Sequence, residues 1–126
     1  IIQDFSEGFA QKNSSSTKGN SLEIKGSGSL TVSQCNYMSS GSFEDVTVDG
    51  VKLVGDNTNG LVMNGNFVAK NGAYIDLSVA DGDSNAWNPI YANGNIEIYD
   101  STLMSHSGAT GGIWAVGVGK DSSLLK

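Results

Sequence analysis

The chain carries a short pattern of strands and turns that returns four times. In each copy two apolar residues that flank a third residue of any type are followed by a polar or glycine-rich turn and then by a second apolar stretch. The copies begin at Leu22, Val46, Phe67 and Ile96, so the successive steps are 24, 21 and 29 residues. Three copies follow a Gly-Asn pair, at 19–20, 65–66 and 94–95. A repeat of this length, made only of strands and turns, is typical of a parallel β-solenoid.

Alternation within the first copy predicts which side chains face the core. The inward set is Leu22, Ile24, Leu30 and Val32, and the outward set is Glu23, Lys25 and Thr31. Glycine-containing corners at 26–28, 49–50 and 71–72 are expected to supply the positive φ angles that tight bends require. We therefore predict an all-β chain that forms a right-handed parallel β-helix of about four to five short coils. An antiparallel β-sandwich is the alternative, because Asp-Gly and Asn-Gly corners also form hairpin turns.

The composition favours a thin core over a thick globular one. Only 38% of the 126 residues are hydrophobic, whereas 17 are glycine. A solenoid needs one inward row per strand, so it can fold with this apolar content. Disorder is the competing interpretation of such a composition, and the regular alternation over 22–118 argues against it.

Residues 1–21 are interpreted as an N-terminal cap and flexible leader, with 11–21 as the flexible part. Phe5 and Phe9 are candidates to pack over the first coil, and an ordered leader strand is the alternative. Residues 22–126 form the predicted β-helix domain, with a fifth coil at 111–119 and its second stretch at 123–125. We expect a mature or trimmed chain, since Ile1 is not preceded by a methionine or a basic signal region. The two leucines before the last residue suggest an array cut at its C-terminal end.

Charge and cysteine content narrow the range of partners. The net charge is −6 and all seven basic residues are lysines, so nucleic-acid binding is not expected. Strongly anionic polysaccharides meet net repulsion unless a metal ion bridges the charges. Cys35 is the only cysteine and is interpreted as a buried structural thiol, with an intermolecular disulfide as the alternative. No apolar run approaches the roughly 20 residues of a membrane span.

Three segments carry a resemblance to a known family: 20–33 (NSLEIKGSGSLTVS), 93–108 (NGNIEIYDSTLMSHSG) and 108–119 (GATGGIWAVGVG). Together they resemble the repeats of secreted bacterial right-handed parallel β-helix proteins, related in fold to pectate lyases. The similarity covers most of residues 19–119, and it departs from the family at Trp114 and Val116, where the family's corner residues are small. The resemblance implies a secreted or cell-surface protein, and some members of the family bind carbohydrate.

The insert in the longest coil contains a candidate calcium site. Asp81, Asp83 and Asn85 follow a D-x-D-x-N spacing that brings three oxygen-bearing side chains to one side of a loop, as calcium sites require. The motif lacks the remaining ligands of an EF-hand, so Asp56 or Asp100 of a neighbouring coil would have to complete the shell. The alternative is an ordinary turn, because Asp, Gly, Ser and Asn are the usual turn residues.

The same insert contains a candidate sugar-binding platform. Trp87 and Tyr91 stand beside the polar side chains of Asn85 and Asn88, and aromatic rings stack on the apolar faces of sugars. The alternative is that these aromatic residues pack the insert back onto the coil. Trp114 and Tyr99 would extend the platform if they face outward.

Catalysis is not expected. A pectate-lyase-like mechanism uses a basic residue, usually arginine, and this chain contains no arginine. Paired carboxylates for a glycosidase are available at Glu44-Asp45 and Asp81/Asp83, but such pairs arise by chance among 13 acidic residues. His106 has no recognisable nucleophile motif beside it and is interpreted as a surface histidine.

The sequence therefore predicts a non-catalytic carbohydrate-binding module that is secreted or attached to a bacterial cell surface, with calcium as its only expected cofactor. Its expected partner is a polysaccharide or glycan. A structural or adhesive solenoid that self-associates through its open ends is the first alternative, and a degenerate polysaccharide-lyase-like protein is the second.

Overall fold

The computed structural model describes residues 1–5, 7–10, 20–39, 43–79, 88–108 and 116–118. These residues form strands and turns, and no helix lies among them. In chain order the strands are β1 (Ile2–Gln3), β2 (Glu7–Phe9), β3 (Leu22–Lys25), β4 (Ser29–Ser33), β5 (Tyr37–Ser39), β6 (Val46–Asp49), β7 (Lys52–Asp56), β8 (Leu61–Met63), β9 (Phe67–Lys70), β10 (Tyr74–Val79), β11 (Ile90–Ala92), β12 (Ile96–Ile98), β13 (Thr102–Ser107) and β14 (Val116–Val118).

The strands stack into three faces. The first face contains β3, β6, β9 and β12, the second contains β1, β4, β7, β10 and β13, and the third contains β2, β5, β8, β11 and β14. In the third face a parallel bridge between Tyr37 and Asn59 joins β5 to the chain just before β8. All hydrogen-bonded pairs of the described strands are parallel. The protein is therefore a parallel β-solenoid, and the antiparallel alternative is wrong.

The solenoid has about three turns. Three complete turns of the chain separate the four strands of the first face, and partial turns stand at both ends. This is slightly fewer than the predicted four to five coils, because each turn contains three strands and not two. The predicted fifth coil at 111–119 includes β14, which is the third-face strand of the turn that β12 begins. The rest of that segment and residues 123–125 lie outside the described residues.

Apolar side chains of successive turns meet in register inside the solenoid. One inward row consists of Leu22, Val46, Phe67 and Ile96, and another consists of Leu30, Leu53, Ile75 and Leu103. Phe67, Leu53 and Ile75 in the central turns are fully buried. Burial of each such side chain contributes about 1.5–3 kcal/mol. The predicted inward set of the first copy is confirmed, since all four residues belong to the core or pack against it, and Glu23 and Lys25 are exposed.

At the first corner, between the first and second faces, the chain bends through left-handed backbone. Gly26, Gly50 and Gly72 have φ angles of 136°, 71° and 77°, as predicted for these corners. Asn71 also has a positive φ, of 58°. Glycine adopts these angles without steric cost, and asparagine tolerates them better than most residues. The bends allow each second-face strand to start directly above the one before it.

At the third corner, between the third and first faces, a ladder of polar side chains joins successive turns. Asp45 Oδ1 accepts hydrogen bonds from the backbone N–H of Asn66 at 2.7 Å and from its side-chain amide at 3.2 Å. One turn further on, Asn66 Oδ1 accepts a hydrogen bond from the Asn95 N–H at 2.9 Å. The glycine before each asparagine leaves room for this contact, because a Cβ there would strike the neighbouring turn. The Gly-Asn pairs at 65–66 and 94–95 thus mark a corner that joins the turns.

The N-terminal segment adds strands to two faces. β1 pairs with β4 and β2 pairs with β5, both in parallel. Phe9 packs against the core, whereas Phe5 is 62% exposed. Residues 11–19, most of the predicted flexible stretch, lie outside the described residues.

Replacing Gly94 by alanine tests the close approach at the third corner. A Cβ on Gly94 would lie 2.5 Å from Asn66 Oδ1 and 2.8 Å from the Gly65 backbone. We expect Gly94→Ala to lower the free energy of unfolding by about 1–3 kcal/mol, because the ladder must shift to accept the methyl group. Urea denaturation followed by circular dichroism measures this change.

Gly28→Ala is the matched control for this variant. Gly28 lies at the first corner, its φ is not in the left-handed region, and a Cβ there meets nothing within 4 Å. We expect its free energy of unfolding to change by no more than about 0.5 kcal/mol. Equal losses in the two variants would contradict the role assigned to the third corner.

Candidate functional site

A cleft of about 330 Å³ lies at the second corner, where the chain passes from the second to the third face. It is lined by Gln34, Cys35, Asn36, Asn57, Thr58, Asn59 and Val79. These residues come from three successive turns: three follow the end of β4, three follow the end of β7, and Val79 is the last residue of β10. The cleft is thus built by stacking the same corner of three repeats.

Left-handed backbone at equivalent positions of two turns shapes the cleft. Gln34 and Asn57, each directly after its second-face strand, have φ angles of 52° and 51°. The Gln34 N–H donates to the Asp56 carbonyl oxygen at 3.0 Å, and the Thr58 N–H donates to the Ser78 carbonyl oxygen at 3.3 Å. The Asn57 N–H donates to Ser78 Oγ at 3.4 Å. These bonds between turns hold the backbone of the corner in place beneath the lining side chains.

Buried side chains form the inner wall of the cleft. Cys35, Thr58 and Val79 are each no more than 5% exposed. The Cys35 Sγ–H donates a weak hydrogen bond of 3.5 Å to the Ser33 carbonyl oxygen. Cys35 is therefore a buried free thiol, as predicted.

Four of the residues that line the cleft carry side-chain amides: Gln34, Asn36, Asn57 and Asn59. Each amide carries two N–H donors and one oxygen acceptor, so the group can bind ligands whose hydroxyls both donate and accept. These polar residues make up most of the lining, and the buried side chains of Cys35 and Val79 add a smaller apolar part. The arrangement suits an uncharged, hydroxyl-rich molecule.

A row of polar side chains on the second face leads to the cleft. Ser33, Asp56, Ser78 and His106 occupy equivalent positions on β4, β7, β10 and β13. In this row Asp56 and His106 are exposed, and Ser78 Oγ donates to the Gly55 carbonyl oxygen at 3.3 Å. The row contains the carboxylate of Asp56, directly before the cleft residue Asn57, and the imidazole of His106, on the strand that follows β10 in the stack.

Of the insert residues predicted to bind sugar or metal, the structure describes Tyr91 and Asn88. Tyr91 is the half-buried central residue of β11, beside Val62 of β8. Asn88 is half-buried, and its carbonyl oxygen lies against Gly60, the residue after Asn59 of the cleft. The predicted residues Asp81, Asp83, Asn85 and Trp87 lie outside the described residues, as does Trp114.

The chain enters and leaves the insert close to the cleft. Val79, the last described residue before the insert, lines the cleft itself. Asn88, the first described residue after it, adjoins the turn that contains Asn59. The two described residues that flank the insert, Val79 and Asn88, therefore both lie near the second corner.

Charged groups outside the cleft cluster on the outer side of the first face. The Asn71 side-chain amide donates to Asp49 Oδ1 at 2.8 Å, and Lys70 Nζ lies 3.4 Å from Asp49 Oδ2. The hydrogen bond from Asn71 lowers the pKa of the Asp49 carboxyl, and Lys70 adds to the effect. The Tyr99 hydroxyl donates to Glu97 Oε2 at 2.7 Å, and this hydrogen bond raises the pKa of Tyr99.

Within the described part of the chain, no group of three or more His, Cys, Asp or Glu side chains is placed to hold a metal ion. No described helix has the length and apolarity needed to cross a membrane. Comparison with protein-family models, curated proteins and solved structures finds no match to this chain.

The cleft was not predicted from the sequence, because only two of the three strands of each repeat have a clear apolar pattern. The residues after Ser33 and Asp56 therefore had no assigned place. One local signal was available in segment 56–60, Asp-Asn-Thr-Asn-Gly, whose residues favour turns and left-handed backbone. That signal indicates a corner, but it does not reveal which residues of the next turn lie beside it.

The hydrogen bond from Asn71 makes the stability contribution of Asp49 depend on pH. A carboxyl whose pKa is lower in the folded state stabilises the fold above its ordinary pKa, and this contribution disappears as the pH falls through the folded-state pKa. Asn71→Gly removes the donor and keeps a residue that accepts positive φ. We expect the pKa of Asp49 to rise towards its ordinary value of 3.8 in this variant. Titration of the side-chain carboxyl by NMR measures the change.

Asn64→Gly is the control, since Asn64 is an exposed asparagine before a glycine at the third corner. It should leave the pKa of Asp49 unchanged. If Asn71→Gly also leaves the pKa of Asp49 unchanged, the hydrogen bond from Asn71 is not what lowers this pKa.

Proposed function

We propose that the protein is a non-catalytic carbohydrate-binding module, secreted or attached to a cell surface. The observation that carries the proposal is the cleft at the second corner, in which four side-chain amides surround a partly apolar wall. Saccharides present hydroxyl groups on apolar rings, so they match both parts of this lining. The volume of about 330 Å³ lies in the range of small-ligand pockets, roughly 300–1,000 Å³.

The scaffold supports this function by holding the amides at fixed spacing. Equivalent residues of neighbouring turns are about 4.8 Å apart in a β-sheet, so Gln34 and Asn57 belong to successive levels of one wall. Hydrogen bonds between the turns hold both backbones in place, from the Gln34 N–H to the Asp56 carbonyl oxygen and from the Asn57 N–H to Ser78 Oγ. A preformed site loses less conformational entropy on binding than a flexible one.

The insert supplies the second part of the proposal. Trp87 and Tyr91 would stack on a sugar ring, with Asn85 and Asn88 as hydrogen-bonding partners. The anchors of the insert at Val79 and Asn88 support this, because both adjoin the cleft. The resemblance of the repeats to secreted β-helix proteins agrees with the same function.

Calcium is the proposed cofactor, held by Asp81, Asp83 and Asn85. Asp56 is the better of the two neighbouring carboxylates to add a ligand, because its strand ends at the corner from which the insert leaves. Asp100 lies at the first corner, before β13 begins, and therefore at the opposite end of the second-face strands. A calcium ion would order the insert in addition to any contact with the glycan.

Self-association through the N-terminal end of the solenoid is a second candidate function. Ile1 is 90% exposed and Phe5 is 62% exposed at that end. In the described part of the chain, β1 and β2 each pair with one neighbour, so one backbone edge of each faces away from the stack. Open strand edges with apolar neighbours favour pairing with another copy. Concentration-dependent sedimentation without any glycan binding would favour this function over the first.

Asn36→Ala tests the contribution of the cleft. Asn36 is exposed and lines the cleft, so the substitution removes a hydrogen-bonding group without disturbing the core. We expect the affinity for the best ligand of a glycan array to fall about two- to tenfold. Asn64→Ala changes an exposed asparagine at the third corner and should bind as the wild type does. Equal affinity in the two variants would contradict binding at the cleft.

Trp87→Ala and removal of calcium test the contribution of the insert. We expect the loss of the stacking ring to weaken glycan binding about tenfold. EDTA should weaken binding to the wild-type protein, and added calcium should restore it. Full binding by Trp87→Ala would overturn the platform, and full binding in EDTA would overturn the calcium requirement.

A further inference from the structure

We propose that the cleft selects neutral saccharides and that Asp56 at its rim disfavours sugars that carry a carboxylate. This inference rests on the proposed carbohydrate-binding function and names the class of saccharide that the same cleft accepts.

The lining of the cleft is uncharged. Its seven residues contribute four amides, one hydroxyl, one thiol and one aliphatic side chain. Amides bind hydroxyl groups well because both partners donate and accept. A carboxylate in the same position would accept hydrogen bonds only, and it would lose hydration without gaining a cation.

Asp56 places a negative charge at the edge of this lining. It is exposed and directly precedes Asn57 of the cleft, and its carbonyl oxygen accepts the Gln34 N–H at 3.0 Å. Its position on the second face is equivalent to those of Ser33 and Ser78. A sugar carboxylate that enters the cleft would therefore approach a charge of the same sign.

The described lysines lie elsewhere. Lys52 begins β7, at the opposite end of the strand that Asp56 ends, and its Nζ lies 5.4 Å from the centre of the Tyr74 ring. Lys25 and Lys70 lie on the first face, where they pair with Glu23 and Asp49. The described part of the chain thus brings no lysine to the rim to offset Asp56.

Asp56→Asn tests this selectivity, because it removes the charge and nearly preserves the shape of the side chain. Binding is measured for matched trisaccharides of the gluco, galacto and manno series, each as the neutral sugar and as the uronate that differs only at C6. The buffer contains EDTA, so that calcium cannot bridge carboxylates. Asp100→Asn is the control, since it removes one charge at the first corner and keeps a residue suited to its φ of 44°.

We expect the wild-type protein to bind at least one neutral trisaccharide more tightly than its uronate. Asp56→Asn should raise the affinity for that uronate about two- to fivefold relative to the affinity for the neutral sugar. Asp100→Asn should change neither. Added salt should narrow the gap in the wild type, because it screens the repulsion.

Three results would overturn the inference, and they separate it from the proposed function. Tighter binding of uronates by the wild type would refute neutral selectivity and leave carbohydrate binding intact. An equal gain of uronate affinity in the Asp56 and Asp100 variants would assign the effect to net charge and remove Asp56 from the rim role. If no trisaccharide binds, and the full glycan array with calcium present is also negative, the proposed function fails together with the inference.

Discussion

The register between successive turns is the constraint on which the rest of the structure depends. At the third corner Asp45 accepts hydrogen bonds from the backbone N–H and the side-chain amide of Asn66. Asn66 in turn accepts a hydrogen bond from the backbone N–H of Asn95. A slip of one residue would break these contacts and turn every inward side chain of the slipped strand outward. The corner thus enforces the same alignment as the buried rows of Leu53 and Phe67, through polar groups at the surface. Two independent sets of interactions specify one register.

This register determines which groups of the molecule remain available for contacts with a ligand. Within the stack, backbone donors and acceptors are used to join one turn to the next, so recognition falls to side chains. On the outer side of the first face, charged side chains pair with each other, as Lys70 does with Asp49. At the second corner the amides of Gln34 and Asn57 project at equivalent positions of successive turns instead. Stacking therefore converts a single corner position into a row of hydrogen-bonding groups.

The first and second faces could be predicted from the sequence because their strands are mostly four to six residues long and alternate clearly. The positive φ angles at Gly50 and Gly72 were also predictable, since few other residues adopt them at low cost. The third face was not recognised. Its strands have only three residues each, and the alternation is interrupted in Tyr37–Ser39, where Met38 and Ser39 are both buried. Without these strands the repeat appears to contain two sides, and the count of coils comes out too high.

The cleft could not be predicted for a different reason. Its residues are spread over three turns, and only the register between the turns, as in the pairing of Ser33 with Asp56 and of Tyr37 with Asn59, reveals which ones lie side by side. A sequence pattern shows that a corner exists at 57–60, but the wall of a cleft is a property of neighbouring turns. The candidate residues in the insert were chosen by residue type. Residue type indicates which ligands a side chain can bind, but it does not show where the side chain lies in the fold.

The pairing on either side of the insert shows that its length is decoupled from the scaffold. β10 stays in register with β7, and β11 with β8, although ten residues separate Val79 from Ile90 and only four separate Asp56 from Leu61. Doubling the length of a flexible loop costs only about 0.6 kcal/mol in closure entropy. The second corner of this turn is therefore a graft site, where loops of different length and chemistry can be exchanged while the solenoid beneath keeps its alignment. New specificities can arise there without any change in the repeats.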